Sequence, residues 1–323
     1  MTKAAVCREF GKPLSIEDVI VAQPKDGEVR VNLKACSICH SDVSFADGIW
    51  GGQLPAVYGH EGAGIVESVG AGVTDYQPGD HVIVTLVRHC SDCHFCGDEM
   101  EVLCDSDFNL LHSAPITEPG GNELHQAMNC GAFAEDVVVH QSQLQKVPMK
   151  MPFDVASLLA CGVITGYGAV RHASQLKAGQ TAIVIGCGGV GLSAIMIAKA
   201  FGAQVIGVDI NQEALSLAKT SGADVVINSS LENPVEAICE ITKGGAHLSL
   251  DALGNKTTCY QSIASLRKRG KHIQVGLMAG DDFDPSIPMH LVVANELEIL
   301  GSHGMQAHAY PKMLDLIKTG NIK

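Results

Sequence analysis

The sequence predicts an α/β chain in two parts, a β-rich module followed by a doubly wound parallel sheet, and three observations carry the prediction. Short segments with alternating apolar residues fill the first 150 or so positions, regular strand-and-helix units follow past Gln175, and a glycine-rich turn opens that second series. With 323 residues, 46 % of them apolar, the chain can furnish two cores. In the first part, residues 28–34, 63–69 and 81–85 have the period-two look of strands, and Gln77-Pro-Gly-Asp80 reads as a turn. In the second, strands are expected at 181–185, 204–208, 225–227, 247–250, 271–275 and 296–300. Helices are expected from about Val190, from Gln212, near Pro234 and over 257–268, with the basic run Arg267-Lys268-Arg269 as a solvated helix end. Strands and helices alternating at this rhythm imply crossover helices on both faces of a Rossmann-type sheet.

The formal charge of -13, with no compensating block of Lys and Arg, argues against nucleic acid as a partner. Residues 182–198 are nearly all apolar, but Gly186, Gly188, Gly189 and Gly191 crowd the stretch, so it reads as a strand-turn-helix and not as a membrane span. The start has no basic head followed by an apolar run, so a secretory signal is not indicated and a cytoplasmic protein is expected. Twelve cysteines in such a chain point to thiols and metal ligands more than to disulfides.

Gly186-Cys187-Gly188-Gly189-Val190-Gly191 satisfies the G-x-G-x-x-G spacing where a strand turns into a helix, and Asp209 follows Gly191 by 18 residues. The first glycine permits a tight turn, the second lets backbone approach a pyrophosphate, and the helix N-terminus offers unpaired N–H groups to that anion. Asp209 would accept the adenosine ribose hydroxyls and repel a 2′-phosphate, so NAD is favoured over NADP. In the plainer alternative the glycines only pack a helix on a sheet and Asp209 is an exposed strand-end acid.

Cys90, Cys93, Cys96 and Cys104 form C-x2-C-x2-C-x7-C, a spacing that lets four thiolates close around one tetrahedral ion. Zinc matches best, and four sulfurs leave no site for substrate, so such an ion is structural. An iron–sulfur cluster uses the same ligands, and a disulfide pair is the poorer alternative in a reducing compartment.

A catalytic ion would need other ligands. Three segments offer them: Cys36-Ser-Ile-Cys39-His40-Ser41-Asp42, Gly59-His60-Glu61 and Ala160-Cys161-Gly-Val-Ile-Thr165-Gly-Tyr-Gly168. Singly, each cysteine or histidine also reads as a core residue. Together, in this order with the four-cysteine lobe and G-x-G-G-V-G, they resemble the zinc-dependent medium-chain alcohol dehydrogenases, from about Val6 to the last residue. That resemblance implies a GroES-like catalytic domain over 1–161, to which 303–323 return, and an NAD-binding Rossmann domain over 162–302.

The resemblance further implies two zinc ions per chain. Cys39, His60 and Cys161 hold the catalytic one with a fourth position open; Asp42 orients His60, and Glu61 lies behind the ion. Ser41 passes the alcohol proton toward the cofactor ribose. Thr165 packs beside the nicotinamide, Val275, Gly276, Leu277 and Ser302 bind its carboxamide, and His40 faces the pyrophosphate. Trp50 and Leu86 occupy family pocket positions, where the indole favours small or slender alcohols; Trp50 also reads as a core filler. Ser44 stands where many relatives carry a relay histidine. The implied activity is interconversion of a small alcohol with its aldehyde or ketone by hydride transfer to NAD, in a homodimer or homotetramer joined through 296–300. The rivals are a polyol- or threonine-type zinc dehydrogenase, in which a carboxylate commonly replaces the third thiolate, and a zinc-stabilised NAD-binding protein that turns nothing over.

Overall fold

A computed structural model describes residues 1–305, 307–320 and 322, without the side chains of His172 and Ala173. It divides into two compact units, Met1–Cys161 with Ala307 and His308, and Gly162–Met305 with the chain from Ala309 onward.

The first unit carries β1 (Thr2–Cys7), β2 (Ser15–Val21), β3 (Glu28–Ser37), β4 (Ala56–Val57), β5 (Glu61–Val69), β6 (His81–Val84), β7 (Ile116–Thr117), β8 (Glu123–Gln126), β9 (Asp136–His140) and β10 (Leu144–Lys146). Strands β1-β2-β7-β8-β4 close a barrel, and β10-β6-β5-β3-β9 form a five-stranded sheet. Alternation explains the inner face: Val29 and Val31 of β3 are fully buried beside Val82 and Val84 of β6 and Val137 and Val139 of β9, while Arg30 and Asn32 point away to Asp136. The turn at 77–80 forms as expected, with Gln77 and Asp80 bonded to each other both ways. Two helices matter for the site, α1 (His40–Ala46) and α2 (Phe153–Leu158).

The second unit is a six-stranded sheet in the order β13-β12-β11-β14-β15-β16, all pairs parallel. Its strands are β11 (Thr181–Ile185), β12 (Gln204–Asp209), β13 (Val225–Asn228), β14 (Ala246–Asp251), β15 (Leu266–Gln274) and β16 (Glu298–Gly301). The helices are α3 (Ile164–Gly168), α4 (Gly189–Ala200), α5 (Gln212–Thr220), α6 (Pro234–Thr242), α7 (Lys256–Ala264), α8 (Met289–Asn295) and α9 (Tyr310–Lys318). Central strands of a parallel sheet are covered on both faces, and β11 is accordingly apolar without alternation, with Ile183 and Ile185 buried beside Ile206, Val208 and Ile227. The apolar stretch 182–198 therefore divides into β11 and α4, as expected. Among the described residues, the helical run Phe153–Arg171 has the length and apolarity to cross a membrane, but 72 % of its most apolar window is buried inside the protein.

Three expectations need correction. The helix expected over 257–268 ends at Ala264, and Leu266 opens β15; the basic run Arg267-Lys268-Arg269 lies in that strand, where Arg269 takes a positive φ of 63° beside an irregular register with β14. The strand expected from Glu296 begins at Glu298, because Glu296 itself ends α8 in the left-handed conformation, φ 48°. Among the described residues, the return of 303–323 to the first unit is confined to Ala307 and His308, the latter held by Glu101 at 2.8 Å. Instead α9 packs on α3 with Tyr310, Met313 and Leu314 buried, the i, i+3, i+4 face of a surface helix. Of the chain-end residues 320–323, Asn321 and Lys323 lie outside the described residues.

Candidate active site

Four donors from three separated segments converge in the first unit. Cys39 caps α1 in extended conformation, φ -89° and ψ 153°. His60 and Glu61 stand at the start of β5. Cys161 sits on a π-helical turn, Leu159–Val163, that follows α2, the kind of local widening often found at functional sites. One ligand atom from each of Cys39, His60, Glu61 and Cys161 lies within 4.8 Å of the others. The spread is compatible with a tetrahedral ion, and two sulfurs with an imidazole suit zinc. Glu61, expected only behind the ion, is thus itself within the donor cluster; its adjacency to His60 in G-H-E was the available signal.

Asp42 organises this corner. Its Oδ2 accepts from the Cys39 backbone N–H at 2.9 Å, the reciprocal bond of a capping box, and its Oδ1 accepts from the Gly59 N–H at 3.1 Å. The same Oδ1 is 2.9 Å from Nδ1 of His60, so Nδ1 carries the proton and Nε2 keeps its lone pair for a metal. The two cysteines of the first segment separate chemically. Hydrogen bonding from Cys161 pulls Cys39 down to about 3 against burial, with His60 adding to the effect, whereas burial pushes Cys36 up to about 12. Cys39, which lies in the donor cluster, is thus the cysteine favoured as a thiolate ligand, and Cys36, outside that cluster, packs on the core. Burial, with the Cys39 charge behind it, raises Glu61 to about 8.

Ser41 follows Cys39, whose Sγ points to Ser41 Oγ at 3.6 Å, and Ser44 is buried one turn on. His40 is exposed at the first position of α1. Trp50 stands edge-on to Phe45, ring centres 4.8 Å apart, and Phe45 stacks on Tyr58, so the indole is packed in the first unit as well as half exposed. Leu86 packs on the core of the five-stranded sheet, and its carbonyl accepts from Asn129 Nδ2 at 3.1 Å.

The second cluster is the four-cysteine lobe. Sγ separations are 3.9 Å for Cys90–Cys96, 3.5 Å for Cys93–Cys96 and 3.9 Å for Cys93–Cys104. Bonds of 2.3 Å to a tetrahedral zinc give sulfur–sulfur edges of about 3.8 Å, so the residues fit one closed ion. None of Cys90, Cys93, Cys96 and Cys104 is joined in a disulfide, and their spacing suits a shared ion better than a disulfide pair. The N–H groups of Asp92 and Cys93 donate to Cys90 Sγ at 3.4 and 3.2 Å, as backbone does around a thiolate.

In the second unit the predicted cofactor residues gather at the carboxyl ends of the parallel strands, the edge at which open α/β sheets bind ligands. Gly186 leaves β11 with φ 93°, and α4 starts so close behind that a Cβ on Gly191 would lie 1.8 Å from the Gly186 carbonyl oxygen. By contrast, Gly188 and Gly189 are exposed with nothing within 4 Å of a Cβ, and Val190 follows in the first turn of α4. That leaves bare N–H groups at a helix N-terminus facing open space, a fit to a pyrophosphate. Asp209 ends β12, accepting from Cys187 N at 2.7 Å and Asn211 N at 2.9 Å, and a carboxylate so held keeps lone pairs for ribose hydroxyls. Val275, Gly276 and Leu277 follow β15, with Leu277 exposed, and Ser302 follows β16 bonded to the Gln274 carbonyl. Thr165 is buried on α3, its carbonyl in tight contact with Gly304.

Two family descriptions match the chain: Alcohol dehydrogenase GroES-like domain over residues 25–149, and Zinc-binding dehydrogenase over residues 189–319. A Schizosaccharomyces pombe protein named "Probable S-(hydroxymethyl)glutathione dehydrogenase 1" is 36 % identical over 99 % of this chain and 88 % of its own length. Alcohol dehydrogenase class-3 of Drosophila melanogaster is 37 % identical over 90 % of this chain and 80 % of its own. Among solved structures, an alcohol dehydrogenase zinc-binding domain protein from Burkholderia ambifaria superposes with a TM-score of 0.93 at 32 % identity, covering 99 % of this chain and 90 % of that one.

Proposed function

The chain belongs to the zinc-dependent medium-chain alcohol dehydrogenase family, and from that membership we propose a role for each residue of the two clusters and the cofactor edge. The enzyme is a zinc-dependent, NAD-linked alcohol dehydrogenase that interconverts an alcohol and its aldehyde or ketone. Cys39, His60 and Cys161 hold the catalytic zinc, and Cys90, Cys93, Cys96 and Cys104 hold the structural one. Bound there, the catalytic ion supplies Lewis acidity toward the substrate oxygen, and NAD supplies the hydride acceptor.

The chain's own residues do the rest. Asp42 keeps the His60 proton on Nδ1 and so keeps Nε2 available to the ion. Ser41 Oγ takes the alcohol proton; with Ser44 in place of a histidine, either water or another group completes the relay, or hydride transfer shows a different pH dependence. Glu61, buried in the same donor cluster, would lie beside the ion, and burial with the neighbouring Cys39 charge holds its carboxyl above the usual range. Gly188, Gly189 and Val190 present backbone to the pyrophosphate, Asp209 receives the ribose hydroxyls, and Thr165, Val275, Gly276, Leu277 and Ser302 bind the nicotinamide end. Trp50 and Leu86 line the pocket, where the indole favours small or slender alcohols.

The observation that supports this reading most is the convergence of Cys39, His60, Glu61 and Cys161 from three distant segments. It is tested by metal analysis of the purified protein with an NAD-coupled panel of primary and secondary alcohols. Two zinc ions per chain and NAD reduction with at least one short alcohol are expected; absence of turnover across the panel with full metal content favours the cofactor-sensing rival. The same reading takes the enzyme as cytoplasmic, supported by twelve cysteines that form no disulfide. It also takes the protein as a homodimer or homotetramer, supported by β16 at the sheet edge and by exposed Met289 and Val293 on α8.

A further inference from the structure

The second unit contains a chain of buried polar side chains that none of these roles uses. Asp251, at the end of β14, has no exposed surface, nor do Ser249 and Ser262, and His272 on β15 is 1 % exposed. Asp251 Oδ1 accepts from the N–H groups of Leu253 at 2.9 Å and Gly254 at 3.2 Å. Its Oδ2 accepts from Thr258 Oγ1 at 3.0 Å and Gln274 Nε2 at 3.2 Å. The same Gln274 nitrogen donates to the Gly276 carbonyl at 2.9 Å.

These partners fix every proton in the chain. A carboxylate and a carbonyl both demand donors, so the Gln274 amide turns Nε2 toward them and Oε1 toward His272 Nε2, 3.1 Å away. His272 must then carry its proton on Nε2, leaving Nδ1 to accept from Ser262 Oγ at 2.9 Å, with Ser249 Oγ at 3.4 Å as a second donor. Burial lowers the His272 pKa and keeps the ring neutral. Turning the Gln274 amide over would set its oxygen against two acceptors, so the arrangement has a single satisfied state.

What it holds is a crossing of two main-chain segments at the cofactor edge. A Cβ on Gly276 would lie 2.3 Å from Gly254 N, and one on Gly254 would lie 2.5 Å from Leu277 O, so the two strands of backbone touch with no room for a side chain. The Asp251 carbonyl accepts from Val275 N at 3.0 Å and Gly276 N at 2.9 Å. Asp251 thus grips the 253–254 turn with its side chain and the 275–276 turn with its main chain, and Gln274 adds the Gly276 carbonyl.

The geometry points to Asp251 and Gln274 as positioning residues for the cofactor: without touching it, they hold the 253–254 and 275–277 turns in the pose that receives NAD. This rests on the assignment of Val275, Gly276 and Leu277 to the nicotinamide end.

The test compares Gln274→Met with Ser262→Ala by thermal unfolding, by fluorescence titration with NADH, and by the KM values for NAD and for alcohol. Ser262→Ala loses one buried hydrogen bond, which Ser249 remains to replace at His272, whereas Gln274→Met loses three and alone releases the Gly276 carbonyl. Gln274→Met is expected to raise the Kd for NADH and the KM for NAD about five- to tenfold with the alcohol KM unchanged. Ser262→Ala is expected to lower Tm and bind NADH as the wild type does. Asp251→Asn, nearly isosteric, turns an N–H toward Gln274 Nε2 and is expected to weaken NADH binding in the same way, which covers the case of a Gln274→Met protein that does not fold. Wild-type Kd values in Gln274→Met or Asp251→Asn, or equal weakening in Ser262→Ala, overturn the inference alone. A wild-type protein that fails to bind NADH overturns the cofactor assignment beneath it.

Discussion

Asp42 Oδ1 lies 2.9 Å from His60 Nδ1, and both side chains are only 1 % exposed. One carboxylate thereby joins the cap of α1 to the start of β5 and sets the tautomer of a metal-binding imidazole. Asp42→Asn preserves the shape but can turn an amide N–H toward His60, and loss of such a partner costs about 10- to 100-fold in metal affinity. Competition with a graded chelator, read by metal analysis, should show the catalytic zinc leaving the variant first while the four-cysteine lobe keeps its ion.

The lobe makes the complementary prediction. Cys93 is 3.5 Å from Cys96 and 3.9 Å from Cys104, so Cys93→Ser removes a shared corner of the sulfur cage. One zinc per chain should be lost, and amide exchange should rise across 90–104 before it rises in the five-stranded sheet. Unchanged zinc content would show that the cage does not hold the ion.

Two glycines of one turn should fail in different ways. Gly191→Ala drives a methyl into the Gly186 carbonyl, at 1.8 Å before any relaxation, and should destabilise the second unit by about 1–3 kcal/mol or more. Gly188→Ala meets nothing within 4 Å, and its φ of -82° suits any residue, so Tm should hold while NADH binding weakens. Thermal unfolding with and without NADH separates the two.

In the proposed reading Asp209 sets cofactor choice through charge. With its oxygens fixed by Cys187 N and Asn211 N, the carboxylate cannot swing aside for a 2′-phosphate. Asp209→Gly should lower the ratio of kcat/KM for NAD over NADP by about tenfold or more, since like charges at close range cost several kcal/mol. A ratio equal to that of the wild type would remove Asp209 from the ribose site.

The parts that were legible in the sequence are those written in local code. Alternation marks β3 and β5, apolar runs mark β11 and β12, and cysteine spacing marks the lobe. Where neighbours in space decide, the reading failed. Residues 266–268 have helical company in sequence, but Leu266 pairs with Ala246 of β14 and the run enters β15. Glu296 looks like the start of β16 until the αL stop of α8 claims it. Tyr310, Met313 and Leu314 carry a buried face, yet nothing local says which unit it covers. The π turn that carries Cys161 and the proton order along Asp251, Gln274 and His272 leave no sequence signature, because each arises from contacts between distant segments.

The most direct measurement of the central claim is the zinc content of Cys161→Ala, taken together with NADH binding and alcohol oxidation on the same preparation. Three side chains sharing one catalytic ion predict one zinc per chain in place of two, NADH bound with wild-type affinity and no turnover. Two retained zinc ions with alcohol oxidation near the wild-type rate would contradict the account.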